Sequence, residues 1–79
     1  MGEAAEATIL DLAGLKCPLP ALKTRKALKG MAAGARITVL CTDPLAAIDI
    51  PNLIRETGDI LEKVETADGH RRFMIRKAG

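Results

Sequence analysis

Two prolines and a glycine within seven residues, in Gly14-Leu15-Lys16-Cys17-Pro18-Leu19-Pro20, decide where the first helix of this chain can begin. Proline carries no backbone N–H and has a fixed φ, so it suits the first helical turn and disrupts anything deeper. Upstream, Thr8-Ile9-Leu10-Asp11-Leu12 has the pattern of a short strand ending at Ala13-Gly14. Downstream, the spacing predicts a helix over 18–29, with Pro18 at its first position and Gly30 and Gly34 punctuating its end. The stretch is thus a strand-to-helix connection that places Cys17 where the helix starts. A thiol there faces unpaired N–H groups and the positive end of the helix dipole, with Lys16 beside it; each favours the thiolate.

The remaining elements follow from pattern and punctuation. Arg36-Ile37-Thr38-Val39-Leu40-Cys41 is β-branched and alternating, which predicts a second strand. Thr42-Asp43-Pro44 repeats the chemistry of a helix start, but Pro51 interrupts the run behind it. The expectation is a turn over 44–48 and then a helix over 50–57 capped by Asp49 and stopped by Gly58, with one kinked helix as the alternative. Ile60–Thr66 and Arg71–Ala78 read as strands around Ala67-Asp68-Gly69-His70, whose Asp-Gly is a hairpin signal. The order is β-α-β-α-β-β. A right-handed crossover puts the first helix on one face of the sheet, and the second most economically covers the same face, giving a two-layer α/β sandwich.

Size and charge narrow what such a fold can do. The 79 residues hold one Phe, no Tyr and no Trp, so the core is aliphatic and has room for one domain, over 8–79. Residues 1–7 are Ala- and Glu-rich without a pattern and read as a disordered leader. Small domains bury only about 60–65% of their unfolded surface, which favours chemistry at a surface shared with a partner over an elaborate pocket. The acidic start lacks the apolar segment of a secretory signal and no run is long enough to span a bilayer, so the expected location is cytoplasmic, without a membrane partner. Thiols stay reduced there, and a cysteine is more often catalytic than stapling.

The net charge of +2 says less than its distribution. No acid occurs from Leu12 to Thr42, whereas Lys16, Lys23, Arg25, Lys26, Lys29 and Arg36 all do. From Asp43 to Gly69 seven acids face only Arg55 and Lys63. Positive charge is therefore gathered around the cysteine and its helix. Stepping that helix at about 100° per residue groups Pro20, Ala21, Thr24, Ala27, Leu28 and Met31 as a core stripe. Opposite them fall Lys23, Arg25, Lys26 and Lys29 together with Leu19 and Leu22. Apolar residues ringed by cations, within a turn of Cys17, suit docking of an acidic protein surface, although solvated lysines alone would be unremarkable.

Several chemistries lack their residues. A metal site would need Cys17, Cys41, His70 and a fourth ligand that the sequence does not supply, so no metal is expected. Hydrolysis would need a base beside Cys17, and His70 in a hairpin turn is the one histidine. Cys41 shares strand parity with Ile37 and Val39 and is expected to point into the core. An RNA-binding module built on the basic helix is a second class of reading, weakened by Phe73 being the single aromatic available for stacking. A purely regulatory interaction domain is a third. What suits a lone, accessible thiol is group carriage, and sulfur held as a persulfide needs no cofactor beyond that sulfur.

Cys17-Pro18-Leu19-Pro20 resembles the CPxP motif of the TusA/SirA-like sulfur carrier family. The likeness extends through Asp11-Leu12, Gly14-Leu15, Thr42-Asp43-Pro44, Asp49-Ile50-Pro51 and Ile75-Arg76-Lys77, spanning roughly Ile9 to Lys77. The resemblance implies a mixed four-stranded sheet in the order 1-2-4-3 with two helices on one face. It implies that Cys17 accepts sulfur as a persulfide from a cysteine desulfurase or similar donor and relays it to an acceptor protein, for tRNA 2-thiouridine synthesis or another sulfur pathway, without direct nucleic-acid binding. Arg25 and Lys29 match basic positions that engage partners, and Asp43 matches an acid near the cysteine. With Lys16, Leu19 and Leu22 these form the expected partner-binding surface, and Pro18 and Pro20 the structural part of the motif.

Overall fold

Alternation in the second strand organises the sheet. In a computed structural model, which describes residues 8–78, the elements are β1 (Thr8–Asp11), α1 (Leu19–Lys29), β2 (Arg36–Cys41), α2 (Ala46–Thr57), β3 (Ile60–Ala67) and β4 (His70–Arg76). The expected leader over 1–7 lies outside the described residues. The sheet order is β1-β2-β4-β3, with β1 parallel to β2 and β4 antiparallel to both of its neighbours. This is the mixed α/β arrangement that the resemblance implied.

Period-two geometry turns Ile37, Val39 and Cys41 of β2 to one face, where all three are buried, and leaves Thr38 and Leu40 half-exposed on the other. Phe73 and Ile75 of β4 pair with Val39 and Ile37 and complete the floor of the core. Both helices lie over that floor. α1 contributes Pro20, Thr24 and Leu28, one residue every four, with Ala21, Ala27 and Met31 packed against the cluster. α2 contributes Ala46, Ile50, Leu53 and Ile54. Each fully buried large aliphatic or aromatic side chain stabilises the fold by about 1.5–3 kcal/mol, so a short list of residues carries it.

Two helix starts differ from expectation. Pro18 is the N-cap residue of α1 rather than its first helical residue, and Pro20 is the proline inside the first turn. The second helix is a single element with Pro51 inside it, as in the alternative of one kinked helix and not the turn followed by a shorter helix: Asp49 lies within α2 and does not cap it. Ala46, Ala47 and Ile48 donate to the carbonyls of Asp43, Pro44 and Leu45, a tight i→i−3 start, before Asp49 returns to Leu45. Pro51 sits in the second turn, where its missing N–H would otherwise serve only the carbonyl of Ala47. That single loss does not stop a helix whose face buries Ile50, Leu53 and Ile54. α2 then ends at Gly58, whose left-handed φ of 81° lets its N–H reach Ile54 O at 3.0 Å. The Asp68-Gly69 turn has positive φ at both residues, the geometry the Asp-Gly pair predicts for a two-residue hairpin.

Candidate functional site

The loop between β1 and α1 is held from three sides before any chemistry is considered. Leu12 continues the strand pairing by donating to Leu40 O at 2.9 Å, and Gly14 donates to Thr42 Oγ1 at 2.8 Å. Cys17 N–H donates to Asp43 Oδ2, while the other oxygen of the same carboxylate accepts from Leu45 N–H at 3.1 Å. One side chain thus ties the cysteine loop to the start of α2. Those two N–H groups, with Lys16 nearby, hold the Asp43 carboxyl below the usual range despite slight desolvation. The acid expected near the cysteine is therefore there, and its contact is to the backbone.

Cys17 stands exposed at the tip of this loop, preceding a cis peptide to Pro18. Its Sγ donates to Asp49 Oδ2 at 2.7 Å. That hydrogen bond, then partial desolvation, then the negative charges of Asp49 and Asp43, push the thiol above its ordinary value of 9.0. The expectation of a favoured thiolate is overturned, and the motif itself explains why. Positions 18 and 20 are prolines without N–H groups, and Leu19 N–H is already used by Lys16 O at 2.9 Å. The helix start therefore offers few donors to an anion, and two carboxylates outweigh what is left.

A shallow cleft of about 360 Å³ runs away from the sulfur between the helices, lined by Ala21, Leu22 and Arg25 of α1 and Asp49, Asn52, Leu53 and Glu56 of α2. Arg25 closes its far end through an ion pair to Glu56 at 2.9 Å. Of the expected partner-binding residues, Lys16, Leu19, Leu22, Arg25 and Lys29 are all exposed, and Asp43 is half-buried. Arg25 differs from Lys29 in being engaged within the fold. The sequence pattern makes Asp49 a cap, whereas the structure gives it a thiol partner 32 residues away, a separation that no local pattern encodes. Leu45 and Ile48, exposed at 52% and 60%, were also missed as surface features. The signal was available: positions 45, 48, 49, 52 and 56 share a helical face once α2 is continuous through Pro51.

Cys41 is fully buried, as its alternation predicted, and burial first, then Asp43, raises its thiol to about 11 against a smaller opposing effect of Arg71. The β2–β4 register brings the hairpin to the same end of the sheet as Cys17. His70 nevertheless keeps its Nδ1 on Asp68 O at 3.0 Å and does not line the cleft. Among the described residues no group of three or more His, Cys, Asp or Glu could hold a metal ion, and no helix is long and apolar enough to cross a membrane.

The family described as sulfurtransferase TusA matches residues 8–77. The chain belongs to this family. Within it, the sulfur carrier protein TusA of Allochromatium vinosum is 36% identical over 69 residues, covering 87% of this chain and 91% of that one. A relative from Aquifex aeolicus is 42% identical over 69 residues, and this chain spans only 35% of its length. Among solved structures, the SirA-like protein from Desulfitobacterium hafniense superposes with a TM-score of 0.78 at 25% identity, covering 91% of this chain and 99% of that chain. The TusA-family match includes every residue of the site, from Gly14 through Glu56.

Proposed function

We propose that this protein is a sulfur carrier that accepts a persulfide sulfur on Cys17 and relays it to a partner protein. The observation that carries the proposal is the contrast between its two thiols: Cys17 is presented at a loop tip within the residues that match the TusA family, whereas Cys41 is sealed in the core. A donor persulfide R–S–SH meets Cys17; a bond forms between Sγ and the sulfane sulfur as the donor's S–S bond breaks, and the donor departs as a thiol. The products are Cys17–S–SH and R–SH, with no external oxidant or reductant. The same exchange run against an acceptor thiol unloads the carrier. The chemistry asks for surface access by two partners in turn, which suits a shallow cleft better than a closed pocket.

The donor fitting this scheme is a cysteine desulfurase or another persulfide-bearing protein, and the acceptor is a relay protein, toward 2-thiouridine in tRNA or another sulfur-trafficking pathway. Lys16, Leu19, Leu22, Arg25 and Lys29 form the docking surface in this proposal, with Asp43 fixing the loop that they surround. Incubation with a cysteine desulfurase and cysteine, followed by intact mass measurement, tests it. A one-sulfur adduct present in the natural protein and absent from Cys17→Ser is expected. No adduct with any of several desulfurases would overturn it.

A further inference from the structure

On the sulfur-carrier reading, Cys17 must act as a sulfur nucleophile, yet the fold gathers negative charge at it. Its thiol donates to Asp49 Oδ2 at 2.7 Å and its amide to Asp43. The charged groups around the cysteine and along its cleft come from each packed element: Lys16 from the cysteine loop, Asp43 from the segment after β2, Arg25 from α1, and Asp49 and Glu56 from α2. Lys16 acts on Asp43, and Arg25 is engaged by Glu56 at 2.9 Å. Among the described residues no cation pairs with Asp49. A carboxylate that accepts a thiol's hydrogen bond and has no cation of its own stabilises S–H over S⁻.

We propose that Asp49 gates the carrier: it holds Cys17 as a hydrogen-bonded thiol in the free protein and yields it when a cationic group of the sulfur donor takes the carboxylate. The proposal rests on the sulfur-carrier reading for its purpose, but not for its chemistry. In the free protein the gate suppresses reaction of Cys17 with stray electrophiles. In the encounter complex, pairing of Asp49 with the donor's cation withdraws the acceptor that favoured S–H. The thiol proton passes to the donor's departing sulfur, so that Cys17–SH and R–S–SH become Cys17–S–SH and R–SH. Asp49 touches the reacting sulfur directly, so it belongs to the reaction and not only to its support. The surface expected of the donor is basic around its persulfide, complementary to the carboxylates of Asp43 and Asp49, and acidic farther out, where it meets the cations of α1.

Two measurements on the full chain test the gate. The first is the rate of Cys17 alkylation by iodoacetamide across pH, read by intact mass. The natural protein is expected to show a midpoint above the ordinary thiol value of 9.0. Asp49→Asn and Asp49→Ala, the second a better helix former should the first fold poorly, are expected to lower it. At pH 7 each unit of lowering speeds alkylation about threefold, the tenfold gain in thiolate being partly offset by its weaker nucleophilicity. A midpoint at or below the ordinary value in the natural protein overturns the gate without any variant, as does an unchanged or raised midpoint in both variants.

The second measurement is sulfur loading by a desulfurase in rising salt. Loading of the natural protein is expected to fall more steeply with salt than loading of Asp49→Asn, because one charge pair with the donor is lost. Equal slopes overturn the donor's part in the gate. If the natural protein is never loaded, the carrier reading fails, while the alkylation midpoint still decides the gate.

Discussion

Gly14 donates its backbone N–H to Thr42 Oγ1 at 2.8 Å, joining the turn that leads to Cys17 to the end of the neighbouring strand. This hydrogen bond is one of three that tie the cysteine loop to the C-terminal end of β2 and the segment after it. Thr42→Val keeps the shape of the side chain and removes the acceptor, and is expected to lower stability by about 1 kcal/mol. Gly14→Ala probes the same turn through strain alone. An added Cβ meets nothing within 4 Å, but Gly14 sits at φ +87°, where an L residue costs roughly 1–2 kcal/mol. Urea unfolding measures both losses. Hydrogen exchange at Gly14 is expected to speed up in Thr42→Val.

Cys41 makes stability depend on alkaline pH. Its folded thiol is pushed up to about 11 from an ordinary 9.0, so the folded chain holds its proton more tightly than the unfolded chain. A raised folded pKa contributes stability that is fully present below the unfolded value and is lost as pH rises through the folded one. Stability is therefore expected to fall from about pH 9.0 to about 11 in the natural protein. Thermal melts across that window test this, and Cys41→Ala is expected to flatten the slope. A slope that survives the substitution would assign the effect to another group.

Acid pH acts through Asp43 with the opposite sign. The N–H groups of Cys17 and Leu45 depress its folded pKa, so its stabilising contribution is present above the unfolded carboxyl value, near pH 3.8, and disappears as pH falls through the lower folded value. Glu62 adds to the same limb, because Arg36 and Arg76 each donate to one of its oxygens at 3.0 Å. Asp43→Asn is expected to shrink the acid-dependent loss and to loosen the cysteine loop together. Melts below pH 4 and exchange at the Cys17 and Leu45 amides before and after the substitution check the two effects.

Legibility in the sequence tracked whether the deciding interaction was local. β2 was readable to the residue, because alternation over Arg36–Cys41 is set by the strand's own period. The faces of α1 were readable for the same reason: Pro20, Thr24 and Leu28 are buried, and Leu19, Leu22, Arg25 and Lys29 are exposed. α2 was not, because Pro51 is a strong local signal against continuity, and the burial of Ile50, Leu53 and Ile54 that overrides it is tertiary. The polarity of the site was misread at the same level. Lys16 and the helix start are sequence neighbours of Cys17 and argued for a thiolate, whereas Asp43 and Asp49 reach it from 26 and 32 residues away.

Charge reversal on α1 separates docking from folding. Arg25 is exposed at 44% and its Glu56 partner at 66%, so their ion pair stabilises the fold by no more than about 1 kcal/mol. Arg25→Glu with Lys29→Glu is therefore expected to leave the far-UV spectrum unchanged and to shift the melting temperature by only a few degrees. Sulfur loading from a donor protein is expected to drop while alkylation of Cys17 by iodoacetamide continues. Loss of folding would mean that this face of α1 carries the core, contrary to its exposure.

Thr24 offers the cleanest separation of polarity from packing in the core. It is fully buried on the inner face of α1, and its hydroxyl finds no hydrogen-bond partner among the described residues. A buried hydroxyl without a partner costs roughly 1–3 kcal/mol, since the bond it made to water is not replaced. Valine has nearly the same shape and a similar helix propensity, so Thr24→Val removes the cost without opening a cavity or forcing a new rotamer. The expected result is a gain of about 1 kcal/mol in urea unfolding at unchanged m-value, with alkylation of Cys17 unaffected. Thr24→Ala is the control: it removes the same hydroxyl but also a methyl from a close-packed site, and the cavity offsets the gain. If valine destabilises as alanine does, the hydroxyl is satisfied in solution, and the interior of α1 is more polar than its packing indicates.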